Sequence, residues 1–134
     1  MSETEKKMEG EAETKTKVLV IDDDPEISES IRIALEVTGY DVVVARNGSA
    51  GLALAERLNP DLIILDMMMP KRSGFLVLET LRQTRKVPNR VIMITANEGT
   101  RHKDYAKELG VDEYIHKPFP MDVLLEAVVR VLHK

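Results

Sequence analysis

Asp22, Asp23 and Asp24 stand side by side at the end of the apolar run Val18–Ile21. Asp66 ends a second such run, Thr95 a third and Lys117 a fourth. Two carboxylates about 4 Å apart repel by roughly 4 kcal/mol at an effective dielectric near 20, so clustered aspartates either point away into water or share a positive partner. A hard dication that takes oxygen ligands and keeps several waters is such a partner. With it, the set suits phosphoryl transfer. Asp66 can be the acceptor, because carboxylates form aspartyl-phosphate intermediates. The transferred group brings three equatorial oxygens that need neutralising. The cation can hold one, the Thr95 hydroxyl and a neighbouring backbone N–H a second, and the Lys117 ammonium the third. Each residue alone has a plainer reading. An aspartate after a strand is often a helix N-cap, the role expected of Asp24 before Pro25. Thr95 alone reads as a loop hydroxyl and Lys117 as a solvated amine. The chemistry rests on their joint placement.

Such placement needs a scaffold that gathers residues remote in sequence, and the apolar pattern supplies one. Short continuous apolar runs predict buried strands at 17–21 (KVLVI), 41–45 (DVVVA), 61–65 (DLIIL), 90–94 (RVIMI) and, more weakly, 112–116 (DEYIH). Helical patterns lie between them. Residues 25–37 put Ile27, Ile31, Ala34 and Leu35 on one face, and Gly39 suits the C-terminus. The other helices are expected over 49–58, 73–84 (with Leu76, Leu78 and Leu81 inward), 100–109 and 120–132. In the last, Val123, Leu124, Ala127, Val128 and Val131 are expected inward. Strand and helix alternate five times with short connections. This predicts an α/β fold: a doubly wound, five-stranded parallel sheet with helices on both faces. Ligands of such sheets bind outside the carboxyl ends of the strands, the rim where Asp22, Asp66, Thr95 and Lys117 fall.

The bulk numbers narrow the field. The 134 residues fit one domain, with an ordinary balance of 43% hydrophobic and 31% charged residues. No run approaches the ~18 apolar residues of a membrane span. There are no cysteines, which excludes thiolate catalysis and cysteine zinc sites. A net charge of −4 gives no sign of a nucleic-acid or anionic-membrane surface. The spacing of His102, His116 and His133 does not suggest a histidine metal site. Residues 1–16 hold five Glu and three Lys and no Leu, Ile, Val or aromatic residue, so they read as a disordered acidic tail before a domain at 17–134.

The pieces VLVIDDDPEI, PDLIILDMMMPKRSG, VIMITAN and ELGVDEYIHKPF, in this order, resemble the receiver domain of two-component response regulators, of a chemotaxis-regulator-like kind. The resemblance covers about Lys17 to Lys134. It implies a flavodoxin-like (βα)5 fold with strand order 2-1-3-4-5. It makes Asp66 the phosphoacceptor, receiving its group from a phosphohistidine on a sensor histidine kinase or histidine phosphotransfer protein. Asp22 and Asp23 become the acidic pair that holds Mg2+ (or Mn2+) with Asp66 and the Met68 backbone carbonyl. Thr95, the Ala96 N–H and Lys117 bind the phosphoryl oxygens. The Lys117–Pro118 peptide bond is expected cis. Thr95 and Tyr114 form the switch: Thr95 moves toward the phosphate and Tyr114 turns into the space it leaves. This alters the face of the fourth helix, fifth strand and fifth helix, which a downstream protein reads and through which a homodimer can form. Met68 and Asn97 sit where the family tunes how fast water removes the phosphate. The resemblance further implies a cytoplasmic signalling module that is not an enzyme beyond its own phosphorylation and dephosphorylation, with no nucleic-acid or membrane partner.

Two rival readings stand beside this one. A phosphate-independent docking receiver would usually lack an acidic, threonine or lysine position, and all are present. A small magnesium-dependent aspartyl phosphohydrolase would need a second carboxylate just beyond the nucleophile, where this chain has Met67, Met68 and Met69. A nucleotide binder is disfavoured because no GxxxxGK[ST] or GxGxxG loop follows a strand. The chain stops after the fifth predicted helix, so it reads either as a stand-alone receiver or as a receiver cut from a longer regulator.

Overall fold

Five parallel strands pair in the order β2-β1-β3-β4-β5 and alternate with five helices along the chain. They are β1 (Lys17–Ile21), α1 (Pro25–Thr38), β2 (Asp41–Ala45), α2 (Gly48–Leu58), β3 (Leu62–Asp66), α3 (Gly74–Thr84), β4 (Arg90–Thr95), α4 (Thr100–Glu108), β5 (Glu113–His116) and α5 (Met121–Leu132). This computed structural model describes residues 15–69, 73–84, 89–96 and 100–134. The expected tail lies outside the described residues up to position 14. Thr16 already belongs to the sheet edge, where its carbonyl accepts a hydrogen bond from Asp41 N at 2.9 Å.

The continuous apolar runs are explained by cover on both faces of the sheet. Val18, Val20, Leu62, Ile64, Ile92 and Ile94 pack beneath α1 and α5. Leu19, Ile21, Ile63, Leu65, Val91 and Met93 point the other way, toward α2, α3 and α4. Each fully buried Leu or Ile contributes about 1.5–3 kcal/mol relative to exposure. Helix faces follow the i, i+3, i+4, i+7 rule with two corrections. In α3 the buried residues are Val77, Leu78 and Leu81, and Leu76 faces solvent. In α5 they are Leu124, Ala127, Val128 and Val131, and Val123 lies at the exposed border. Both misplaced residues precede a buried one, and a step of 100° along a helix carries them off the covered stripe.

Local chemistry fixes the ends of the elements. Asp24 Oδ1 accepts from the N–H groups of Glu26 (2.9 Å) and Ile27 (3.2 Å), the expected N-cap of α1. At the other end of α1, Gly39 takes φ 108° while Tyr40 N donates to Leu35 O, a left-handed cap that a Cβ would strain. At the amino edge of the sheet two carboxylates satisfy leading strand amides. Lys17 N donates to Asp61 Oδ2 (2.8 Å) and Val91 N to Asp112 Oδ2 (2.9 Å). β3 and β4 each run one residue past the expected end, so Asp66 and Thr95 are the last strand residues and not the first loop residues.

Candidate functional site

At the carboxyl edge three carboxylates converge. Asp22, Asp23 and Asp66 each offer an oxygen, and these oxygens lie within 4.8 Å of one another. Asp22 is 2% exposed and Asp66 3%, and Asp23 faces solvent. Parallel pairing of β1 with β3 causes the convergence: the strands run in register to Ile21 and Leu65, so the residues that follow stand side by side. Asp22 Oδ1 accepts from Asp24 N at 2.9 Å, tying the acidic cluster to the turn that starts α1. Asp66 Oδ1 accepts from Met68 N at 3.2 Å.

Lys117 supplies the positive charge. Its Nζ stands 3.5 Å from Asp66 Oδ1 and 3.6 Å from Asp22 Oδ2, bridging the two buried carboxylates. The bridge is incomplete. Asp22 Oδ2 is buried without a hydrogen-bond partner among the described residues. Burial first, and then the Asp22 charge, push the Asp66 carboxyl from its ordinary value of 3.8 up to about 7, with Lys117 and the Met68 N–H pulling the other way. One ammonium therefore does not neutralise the cluster. A buried oxygen lacking a donor, two further carboxylates within reach and an open side at Asp23 form a hard, anionic, partly wet donor set. That set fits a small divalent cation that keeps some of its water. Met68 is at the rim and exposed, next to this set in the chain.

Thr95 is fully buried at the end of β4. Asp66 pairs in register with Ile94, the residue before it, and Lys117 N donates to Thr95 O at 2.7 Å. Thr95 thus sits between the strands that carry Asp66 and Lys117. Ala96 is exposed and, with Lys117, borders a groove of about 530 Å3 walled by Ile27, Phe119 and Met121. The Lys117–Pro118 bond is cis, as the resemblance implied. Tyr114 is half-buried, its hydroxyl donating to Met67 Sδ at 3.5 Å. Burial raises its phenol and a hydrogen bond with Thr95 opposes this. Tyr114 thus packs against the edge of the core and touches both Met67 and Thr95. Asn97 lies outside the described residues. Among the expected residues the structure therefore joins Asp22, Asp23, Asp66 and Lys117 directly, and Thr95 to Tyr114. Gly74, the glycine that closes the PDLIILDMMMPKRSG piece of the resemblance, donates its N–H to Met67 O at 2.9 Å.

Comparison with known proteins agrees with this geometry. The family model for the response regulator receiver domain matches residues 18–129. The chain is 43% identical over 121 residues to the DNA-binding dual master transcriptional regulator RpaA of Synechocystis, covering 88% of this chain and 49% of that one. It is 38% identical over 118 residues to the transcriptional regulatory protein CpxR of Escherichia coli K12, covering 88% and 50%. The chain thus spans about half the length of the curated relatives it matches. Among solved structures, a CheY-like receiver domain protein of Methanospirillum hungatei superposes with a TM-score of 0.84 at 30% identity, covering 90% of this chain and 95% of that one. The receiver domain of the Francisella response regulator 1452 gives 0.82 at 36% identity, covering 88% and 97%. By fold, family match and relatives together, this chain belongs to the response regulator receiver domain family and is a receiver domain of two-component response regulators.

Proposed function

We propose that Asp66 is the phosphoacceptor of this receiver, and that Asp22, Asp23, Asp66 and the Met68 carbonyl hold the Mg2+ (or Mn2+) on which transfer depends. The observation that carries this reading is the Asp22–Asp66–Lys117 cluster, in which two buried carboxylates share one ammonium and one oxygen has no hydrogen bond among the described residues. When bound, the cation supplies positive charge to the carboxylates and to one phosphoryl oxygen.

The chain's own residues do the rest. An Asp66 carboxylate oxygen attacks phosphorus, the new O–P bond forms, and the bond from phosphorus to the donor's leaving nitrogen or oxygen breaks. The donor keeps that electron pair. Lys117 neutralises a second phosphoryl oxygen, and Thr95 hydroxyl with the Ala96 N–H donates to the third. Phosphorylation adds roughly −1.5 to −2 charge. In response Thr95 exchanges its contact with Tyr114 for one with the phosphate, and the pair acts as the switch. Met68 and Asn97 tune how long the phosphate persists.

The donor is a sensor histidine kinase or a histidine phosphotransfer protein, and the module is a signalling device and not an enzyme with a released product. Its output is a protein contact through α4, β5 and α5, with a homodimer on that face as one form. DNA binding, which the name of the Synechocystis protein carries, is there a property of a longer chain, of which the match covers 49%. For residues 17–134 we propose readout by protein contact in the cytoplasm. Among the described residues no helix is long and apolar enough to cross a membrane. Intact mass after incubation with acetyl phosphate and Mg2+ tests the reading. The wild type gains one phosphoryl group, and Asp66→Asn or removal of the cation abolishes the gain. An unchanged gain in Asp66→Asn contradicts it.

A further inference from the structure

A methyl group placed on Gly74 would overlap the Asp66 carbonyl oxygen and stand 2.8 Å from Met67 Cα. Both obstacles are backbone, so neither can swing aside as a side chain would. Gly74 is the first residue of α3, and its N–H donates to Met67 O at 2.9 Å. From the other side Met67 N donates to Ile94 O at 2.8 Å. The peptide just after Asp66 is therefore clamped between β4 and the start of α3, and α3 can come this close only because residue 74 has no Cβ. The next amide, Met68 N, turns back onto Asp66 Oδ1. The carboxylate thus takes its position from a backbone whose far wall is Gly74.

We infer that Gly74 is a positioning residue for Asp66: the glycine lets α3 press on the Asp66–Met67 backbone and so fixes the carboxylate against Lys117 and the cation. This rests on the reading of Asp66 as acceptor and adds a residue that touches neither phosphate nor metal. Because real Cβ atoms do not approach backbone this closely, Gly74→Ala must move either α3 or the Asp66–Met67 segment. A shift near 1 Å in a reacting group can cost about 100-fold in rate.

The test compares wild type, Gly74→Ala and Val131→Ala in the full chain. Val131 is fully buried in the last turn of α5, next to Leu132, whose carbonyl accepts from Arg90 at the amino edge of the sheet. Its truncation lowers stability without touching the site. Mg2+ affinity and the initial rate of phosphorylation by acetyl phosphate are measured well below all three melting temperatures. Gly74→Ala should weaken Mg2+ binding and slow phosphorylation, each by about 10- to 100-fold. Val131→Ala should melt lower and keep both within about twofold. Equal behaviour of the two variants per folded molecule overturns the inference. Should Gly74→Ala not fold, glycine-selective 15N spectra of the wild type decide. The Gly74 resonance should move with the Mg2+ titration while that of Gly39, at the opposite edge, stays in place. A stationary Gly74 resonance overturns it as well. A wild type that binds no Mg2+ and takes no phosphate would instead sink the acceptor reading itself.

Discussion

At the residue scale the governing fact is an unbalanced charge count. Asp22 and Asp66 are buried close together, and among the described residues only Lys117 bridges them. The consequence is a pH dependence with a definite sign. In the folded chain burial and then the Asp22 charge push the Asp66 carboxyl up to about 7, against an ordinary 3.8. Between those values the folded state holds a proton that the unfolded chain has released. Stability from this group is complete below about pH 4 and is lost as pH rises through about 7. Urea unfolding in EDTA should therefore find Asp66→Asn equal to wild type near pH 4 and more stable by about 1–3 kcal/mol at pH 8, with Mg2+ closing the gap. A wild type that outlasts the variant at pH 8 without cation would contradict the charge count. Met68 gives a second outcome at this scale. It is 58% exposed at the rim, and a thioether orients an attacking water poorly. The phosphorylated form should be long-lived, and Met68→Asn should shorten its lifetime severalfold, followed by the decay of the added mass. A lifetime of seconds unaltered by the substitution speaks against this.

At the scale of elements, the strands were the most legible part of the sequence because burial on both faces writes an unbroken apolar run. Lys17–Ile21 and Asp41–Ala45 match to the residue. The helix faces were less legible, since a short apolar helix such as α3 offers Leu76 and Val77 as equals until a neighbour is known. Asp66, Thr95 and Lys117 could be found because the carboxyl edge of a parallel sheet is a place a sequence can point to. Arg82 could not, because its partners are backbone atoms that carry no residue identity, and for the same reason Gly74 was legible as part of the motif while its contact with the Asp66–Met67 backbone was not. Arg82, near the end of α3, donates to the carbonyls of Leu109 (2.7 Å), Asn89 (2.9 Å) and Gly110 (3.0 Å). The burial that these contacts bring lowers the pKa of the guanidinium. One fork thus ties α3 to the segments that precede β4 and β5. A lysine has one ammonium and no planar fork. Arg82→Lys should cost about 1–3 kcal/mol in urea unfolding and leave Mg2+ affinity unchanged, because the clamp lies at the edge away from the site. A loss below about 0.5 kcal/mol would show the three contacts to be replaceable.

At the scale of the whole molecule, the two edges of the sheet divide the labour. At the amino edge, Asp61 and Asp112 accept from strand amides and Arg82 closes on carbonyls, so these three charged groups each have a partner. At the carboxyl edge, the same residue types are gathered by strand order and left short of partners. Stability is thus concentrated at one end and reactivity at the other, with α3 running between them from Gly74 to Arg82. The most direct test of the account is to phosphorylate the full chain with acetyl phosphate and Mg2+, reduce the acyl phosphate with borohydride and map the peptides. The prediction is homoserine at position 66 and at no other aspartate. Homoserine at position 22 or 23, or phosphate retained on a serine, threonine or histidine, would contradict it.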